Sequence, residues 1–280
     1  MKMEHAFYMR QKMNLWRKTN MMDVMEILTN KGFNVEEMDI SKNGLNKHGY
    51  RILTENNVSP VFYEDFFKRF DNEEDMFMAI KNYLNTIPKF NTDNIFDTGN
   101  IKKNLFIALQ KTTNEDLIKK PFLDLEEYLY IVVSENAKIK LKPEHLKAIG
   151  LDENELWEIA DQNTKENAIV NDMATILAEF GMEMPNTPDT PLMIILTNKN
   201  RLNGAITMKY TDILNEIATK HNLKKMMILP SSIHESIVTP YIEIGDINNI
   251  INNINNNEVV PEEILSNHYY IYDKNTNTLA

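Results

Sequence analysis

From residue 192 to the end, short apolar runs alternate with polar turns, and each is too short to be stable alone. PLMIILT, AITMKY, KMMILPSS, IHESIVTPY and HYYIYDK carry the β-branched and aromatic content of strands. Isolated strands of this length need partners in a sheet. Two helical patterns interrupt them. One is DILNEIATKHN after Thr211, and the other is the Ile/Asn stretch 247–258, where Ile247, Ile250, Ile251 and Ile254 recur at helical spacing. The order β-β-α-β-β-α-β predicts an antiparallel or mixed sheet with helices on one face, hence an α+β fold. The Ile/Asn helix is expected to bury its isoleucines and show asparagine to solvent.

The preceding residues read as a helix-rich α+β part with one clear hairpin. In FNVEEMDISKNGLNKHGYRIL, Asn43-Gly44 supplies the two positive-φ residues of a primed turn. Pro60 opens a segment that becomes helical, with Phe62, Phe66, Phe67 and Phe70 on one stripe. Helix continues over 72–86 until Ile87-Pro88 breaks it. The stretch 89–100 reads as a loop, NLFIALQ as a strand, and LEEYLYIVV (125–133) as a strand from which KIKL (138–141) returns. Pro143 opens a short helix closed by Gly150, and Asp152 with Glu155 forms a capping box for the next. A further helix is predicted over 169–180. GMEMPNTPDTP (181–191), with three prolines and a glycine, is the expected boundary between the 33–180 part and the 192–280 part. Residues 1–32 form an N-terminal helical extension. Met9, Met13 and Trp16 make an apolar stripe among Arg10, Lys12, Arg17 and Lys18, suited to packing on the body or to weak association with a membrane surface.

Composition excludes several chemistries. The chain has no cysteine, so disulfides, thiolate metal sites and cysteine nucleophiles are out. Neither a signal peptide nor an apolar run of membrane-spanning length is present, and a cytoplasmic location is expected. The net charge of −11 resides in residues 51–191, where 15 Lys/Arg face 26 Asp/Glu. An acidic surface disfavours nucleic acid and suits a protein partner. The 8 glycines form no phosphate-binding loop, the 6 histidines form no zinc motif, and neither cofactor nor metal is expected.

One segment concentrates reactive side chains: Pro230-Ser231-Ser232-Ile233-His234-Glu235, just after a strand. If it is extended, Ser232 and His234 share a face and could pair as nucleophile and base, while Glu235 points away. The alternatives are hydroxyls and imidazole bonding backbone at a turn, or a binding role without catalysis. The loop LTNKNRLNGAI offers Asn198 and Asn203 either as turn formers or as amides facing a ligand beside the serines. Asp161, Gln162, Asn163 and Thr164 read as caps at a helix end. No pair of carboxylates is singled out by spacing.

NNVSPVFYEDFF, LWEIADQNT, ILTNKNRLNGAI, KYTDIL, ILPSSIHE and PEEILSNHYYIYDK, in this order, resemble the bacterial family called domain of unknown function 5688, found in Gram-positive anaerobes. The resemblance covers 33–274. It implies one shared fold unit and directs attention to Ser231, Ser232, His234, Glu235, Asn198 and Asn203. Where the family reads Tyr-Pro-Gly, this chain has Tyr210-Thr211-Asp212, so the turn there differs. The expected function is that of a non-catalytic protein-binding or regulatory protein, for example one that binds a bacterial or phage protein in host–mobile-element conflict. The alternative is a hydrolase or transferase working through Ser232 and His234.

Overall fold

A computed structural model of the chain describes residues 24–54, 59–87, 94–134, 137–179, 181–182, 192–243 and 245–280. The basic N-terminal stripe of residues 1–20 lies outside them. The chain forms two compact units, one of residues 1–42 and 46–93, the other of 43–45 and 94–280. Helix and antiparallel sheet are mixed throughout, and the fold is α+β.

In the first unit, α1 (Val24–Asn30) precedes the hairpin β1 (Asn34–Lys42) and β2 (Leu45–Leu53). The turn is the expected one, with Asn43 at φ 49° and Gly44 at φ 79°. β3 (Val61–Tyr63) pairs with β2, and α2 (Glu64–Phe67) and α3 (Glu73–Thr86) follow. Asn72 caps α3 by accepting the Asp75 N–H at 2.8 Å. Tyr50, Ile52, Phe62, Phe67, Met76 and Ile80 close this unit's core.

In the second unit, α4 (Thr98–Asn104), capped by Asp97, occupies residues expected to be loop. It leads into β4 (Leu105–Lys111), β5 (Lys119–Phe122), β6 (Leu125–Ser134) and β7 (Ala137–Lys140). β6 pairs with all three other strands, so its backbone is saturated and seven consecutive residues from Leu125 are buried. After α5 (Leu146–Ile149), α6 (Glu153–Glu166) starts with the predicted capping box. Asp152 Oδ1 accepts the Asn154 and Glu155 N–H groups, and Glu155 accepts the Asp152 N–H.

The far end of α6 departs from the capping role expected of it. Asn163 donates its amide to the carbonyls of Lys102 and Leu105. Thr164 Oγ1 accepts the Ile107 N–H at 2.9 Å while donating to Ala160 O. These side chains bolt α6 to α4 and β4.

The predicted helix 169–180 divides into β8 (Ala168–Asp172) and α7 (Met173–Glu179). The β-branched Ile169-Val170 pair joins β9 (Ile194–Asn198) antiparallel, and that pairing outweighs the local helical pattern. β8 and β9 flank 181–191 yet belong to one sheet. A single core runs from Leu105, Leu129 and Leu156 to Leu196, Ile206 and Met226. The division into units therefore falls at Asp93, and the boundary expected at 181–191 lies inside the second unit; residues 183–191 are outside the described ones.

The expected strand 205–210 is a 3-10 turn, Gly204–Lys209, whose first five residues are buried. Thr207 donates its hydroxyl to Thr197 O, holding the turn against β9. Then come α8 (Thr211–Lys220), β10 (Lys225–Leu229), β11 (Ser236–Pro240), α9 (Ile247–Glu258), β12 (Tyr270–Asp273) and β13 (Thr278–Leu279). The six-stranded antiparallel order is β13-β12-β10-β11-β9-β8. Among the described residues no helix is long and apolar enough to cross a membrane.

On the first unit's sheet, His48 Nδ1 lies 2.9 Å from Asp39 and its Nε2 3.0 Å from Glu37. The hydrogen bond to Asp39, assisted by Glu37, raises the imidazole above its ordinary value of 6.5. Because the folded value is the higher one, this contribution to stability is complete below the ordinary value and is lost as pH rises through the raised one. His48→Gln should therefore lower the melting temperature at about pH 5 and leave it nearly unchanged at about pH 8.5. An equal effect at both pH values would contradict this assignment.

Candidate functional site

The Pro-Ser-Ser-Ile-His-Glu segment is the connection between β10 and β11, whose register closes at Leu229–Ile237. It is bent, not extended, so Ser232 and His234 do not share a strand face. The hydroxyls bond their own loop. Ser232 Oγ accepts the His234 N–H at 3.0 Å, and Ser231 Oγ donates to the Glu235 carboxylate at 3.3 Å. Among the described residues neither serine hydroxyl bonds the His234 ring.

The loop is tied instead to its neighbours in the fold. His234 O accepts two donors, the Gly204 N–H at 3.0 Å and the Thr197 hydroxyl at 2.9 Å. The Ile233 carbonyl accepts the Ala205 N–H, and the Ile233 N–H donates to Glu263 O. Backbones approach so closely here that a Cβ on Gly204 would lie 2.5 Å from Thr197 Oγ1, 2.6 Å from Asn198 N and 2.7 Å from His234 O. Glycine is needed for space, since its φ is not in the left-handed region.

The imidazole is committed as well. Nδ1 accepts the Asn203 N–H at 3.1 Å, and Nε2 faces Glu263 at 3.4 Å. A neutral ring accepting at Nδ1 carries its proton on Nε2. Asn203 sits at φ 57°, a conformation asparagine tolerates better than most residues, and is buried. Its Oδ1 accepts from Lys138 Nζ at 2.8 Å. Burial pushes the Tyr130 phenol up to about 12. Lys138 also lies 5.4 Å from the centre of the Tyr130 ring.

These four side chains open onto a cleft of about 500 Å³ whose walls include Val132, Ala137 and Leu202. That size suits a small ligand or an inserted side chain. Of the six residues expected from sequence, Asn203 and His234 meet at the cleft. Ser231, Ser232 and Glu235 stay in the β10–β11 loop. Asn198 organises its own turn, its Oδ1 accepting the N–H groups of Asn200 and Leu202 and its amide donating to Leu202 O. Lys138 and Tyr130 were not anticipated. Their one local signal is the hairpin across SENA, which sets lysines of β7 beside tyrosines of β6, with Tyr130 opposite Lys140 and Val132 opposite Lys138.

A second cleft, also about 500 Å³, is lined by Lys120, Glu127, Trp157, Asp161 and Lys209. Lys209 bridges Glu127 at 2.8 Å and Asp161 at 3.2 Å. Tyr210 donates its hydroxyl to Asp161 O, and burial pushes that phenol upward. The cation here is engaged with the site's own carboxylates. Among the described residues no group of three or more His, Asp or Glu is placed to hold a metal ion.

A family of unknown function, DUF5688, matches residues 16–274, and the chain belongs to it. The match begins ahead of residue 33 and takes in half of the stretch read as an N-terminal extension. No curated protein and no solved structure matches.

His234→Ala removes the acceptor of the Asn203 N–H, and stranding a buried donor costs about 1–3 kcal/mol. At roughly 2–4 °C per kcal/mol for a chain of this size, the melting temperature should fall by several degrees. Ser232→Ala, which removes one bond within the loop, should cost less. Gly204→Ala should destabilise by about 1–3 kcal/mol through overpacking. A melting temperature unchanged by His234→Ala would refute the structural role of the ring.

Proposed function

We propose that this DUF5688 protein acts by binding, as a non-catalytic protein-binding or regulatory protein, and that the cleft of Tyr130, Lys138, Asn203 and His234 receives its protein partner. The observation that carries this reading is the commitment of the His234 ring. A general base needs an unengaged lone pair within reach of the nucleophile's proton. At His234 the acceptor nitrogen holds the Asn203 N–H, and the other nitrogen faces Glu263. Both serine hydroxyls are spent within their loop. What remains suits recognition: an aromatic and aliphatic wall, a positioned ammonium, and the half-exposed Leu202 at the rim.

The test is a pull-down from native lysate with the full-length protein. Wild type should retain a stoichiometric partner, Leu202→Asp should lose it, and the double variant Ser231→Ala/Ser232→Ala should keep it. Leu202 is 48% exposed, so its substitution should leave the melting temperature within about one degree of wild type. Failure to retain a partner, or retention undiminished by Leu202→Asp, would sink the reading. So would labelling of Ser232 by a serine-reactive phosphonate.

A further inference from the structure

The second cleft, lined by α6, β5 and β6, combines one aromatic ring with an excess of carboxylates. Trp157 and Asp161 stand one turn apart on α6, so their side chains share a face. The ring is held by its own Nε1, which donates to Glu153 Oε1 at 3.3 Å. Lys120 of β5 lies directly opposite Glu127 of β6 in the ladder. Its ammonium nonetheless sits 4.3 Å from the centre of the Trp157 ring, a cation–π contact. Lys120 is exposed whereas Trp157 is 6% exposed, so an outward lysine lies on the face of a buried ring. That pairing marks where the cleft accepts a cation.

The surrounding charges favour a cation over an anion. Lys209 lies 2.8 Å from Glu127 Oε2 and 3.2 Å from Asp161 Oδ1, so two carboxylates share one ammonium. The angle of that approach leaves Glu127 Oε2 without a hydrogen bond, in a side chain only 8% exposed. A buried acceptor without a donor is costly, and here it stands at the wall of a cleft through which a donor can arrive. Asp161 is 44% exposed, and Glu158 is exposed beside it. Lys165, one turn beyond Asp161, is spent on Asp212 at 2.7 Å. The walls therefore set Glu127, Glu158 and Asp161 against Lys120 and Lys209, three negative charges against two positive. All but Lys209 belong to the stretch 51–191, where 15 Lys/Arg face 26 Asp/Glu, and the field of that stretch draws cations.

We propose that this cleft binds a guanidinium group, which replaces the Lys120 ammonium on the face of Trp157 and donates to Asp161. A guanidinium suits the site better than an ammonium. Its plane stacks on the indole, and its fork of N–H donors meets a carboxylate at two points. Lys120 is then a built-in competitor, which covers the ring until a guanidinium arrives and moves into water when it does. One ring and one half-exposed carboxylate make a small contact, so the Kd is on the order of 1 mM. Binding weakens as salt rises, because the carboxylates that attract the group are open to solvent. The site is separate from the His234 cleft and does not depend on the partner proposed there.

Nuclear magnetic resonance of the full-length protein reads the site directly, because the chain has 2 tryptophans and each indole N–H gives one peak. The peak that persists in Trp16→Phe is that of Trp157. Nα-acetyl-arginine amide should shift it saturably, with a Kd on the order of 1 mM. Nα-acetyl-citrulline amide, which has the same shape without the charge, should leave it in place. Lys120→Ala removes the competitor and should tighten binding about 2–5-fold, while Asp161→Asn and Glu158→Gln should each weaken it about 2–5-fold. Glu158 is exposed, so its variant keeps the wild-type melting temperature and carries the test even where Asp161→Asn unfolds the chain. A capped Gly-Arg-Gly peptide assigns the source. Tighter binding than the amide points to an arginine of another protein, weaker binding to a small molecule, and either supports the site. No shift of the Trp157 peak would overturn the proposal. So would an equal shift by the citrulline amide, tighter binding of Nα-acetyl-lysine amide, full affinity in a folded carboxylate variant, or an affinity that Lys120→Ala leaves unchanged or lowers.

Discussion

Where the 3-10 turn Gly204–Lys209 passes under the β10–β11 loop, there is no room for one carbon atom. The His234 carbonyl, the Thr197 hydroxyl and the Asn198 amide nitrogen all crowd the position a Cβ on residue 204 would take. That approach lets the Gly204 N–H and the Thr197 hydroxyl converge on a single carbonyl. With the carbonyl fixed, the imidazole of the same residue comes within reach of the Asn203 N–H. With Asn203 fixed, its Oδ1 can hold Lys138 on a different sheet, with that ammonium 5.4 Å from the centre of the Tyr130 ring. The cleft is the outcome of this sequence of contacts, and each depends on the one before.

This dependence separates a strut from a catalyst. Histidine and serine serve both ends with the same atoms, and only the direction of their hydrogen bonds distinguishes the two. In a nucleophilic pair the imidazole accepts from the hydroxyl and a third group orients the ring. Here the imidazole accepts from a backbone N–H, and one hydroxyl accepts from the histidine's own N–H. The density of serine, histidine and glutamate in six residues is therefore loop chemistry, in which short polar side chains satisfy the backbone of a tight strand connection.

Elements governed by neighbouring residues were legible in the sequence. The Asn43-Gly44 turn, the Asp152–Glu155 capping box and strands β6 and β10 each carry their cause within a few positions. Residues 168–172 and 204–209 were misread because their partners lie elsewhere in the chain. Ile169-Val170 is a strand on account of β9, and Ala205-Ile206 is a 3-10 turn because β9 and the β10–β11 loop leave it no extended course. At the site, Asn203 and His234 stood out by type, whereas Lys138 and Tyr130 look like ordinary strand residues until β6–β7 meets the 200–204 loop. Side-chain spacing could propose Ser232 beside His234 only by assuming an extended backbone, and the bend removed that assumption.

Asparagine accounts for much of what pattern reasoning missed, and the reason is chemical. An amide carries two N–H donors and an accepting oxygen beside the residue's own backbone N–H, so one asparagine can bond two unrelated segments, and losing either bond leaves a desolvated group behind. Asn163 ties α6 to α4 and β4, Asn203 joins Lys138 to the β10–β11 loop, and Asn255 anchors α9 to residues 266–267. In α9 the amide decides which face turns inward even though two isoleucines are left in water. Leaving two isoleucines half-exposed forgoes about 2 kcal/mol of transfer free energy, and stranding a buried amide costs about 1–3 kcal/mol, so the Asn255 bonds are large enough to offset the exposed isoleucines. A helix read by apolar periodicity alone is turned to bring Ile250 and Ile254 inward beside Ile251, because periodicity weighs the isoleucines and cannot see the Ser266 carbonyl that accepts from Asn255.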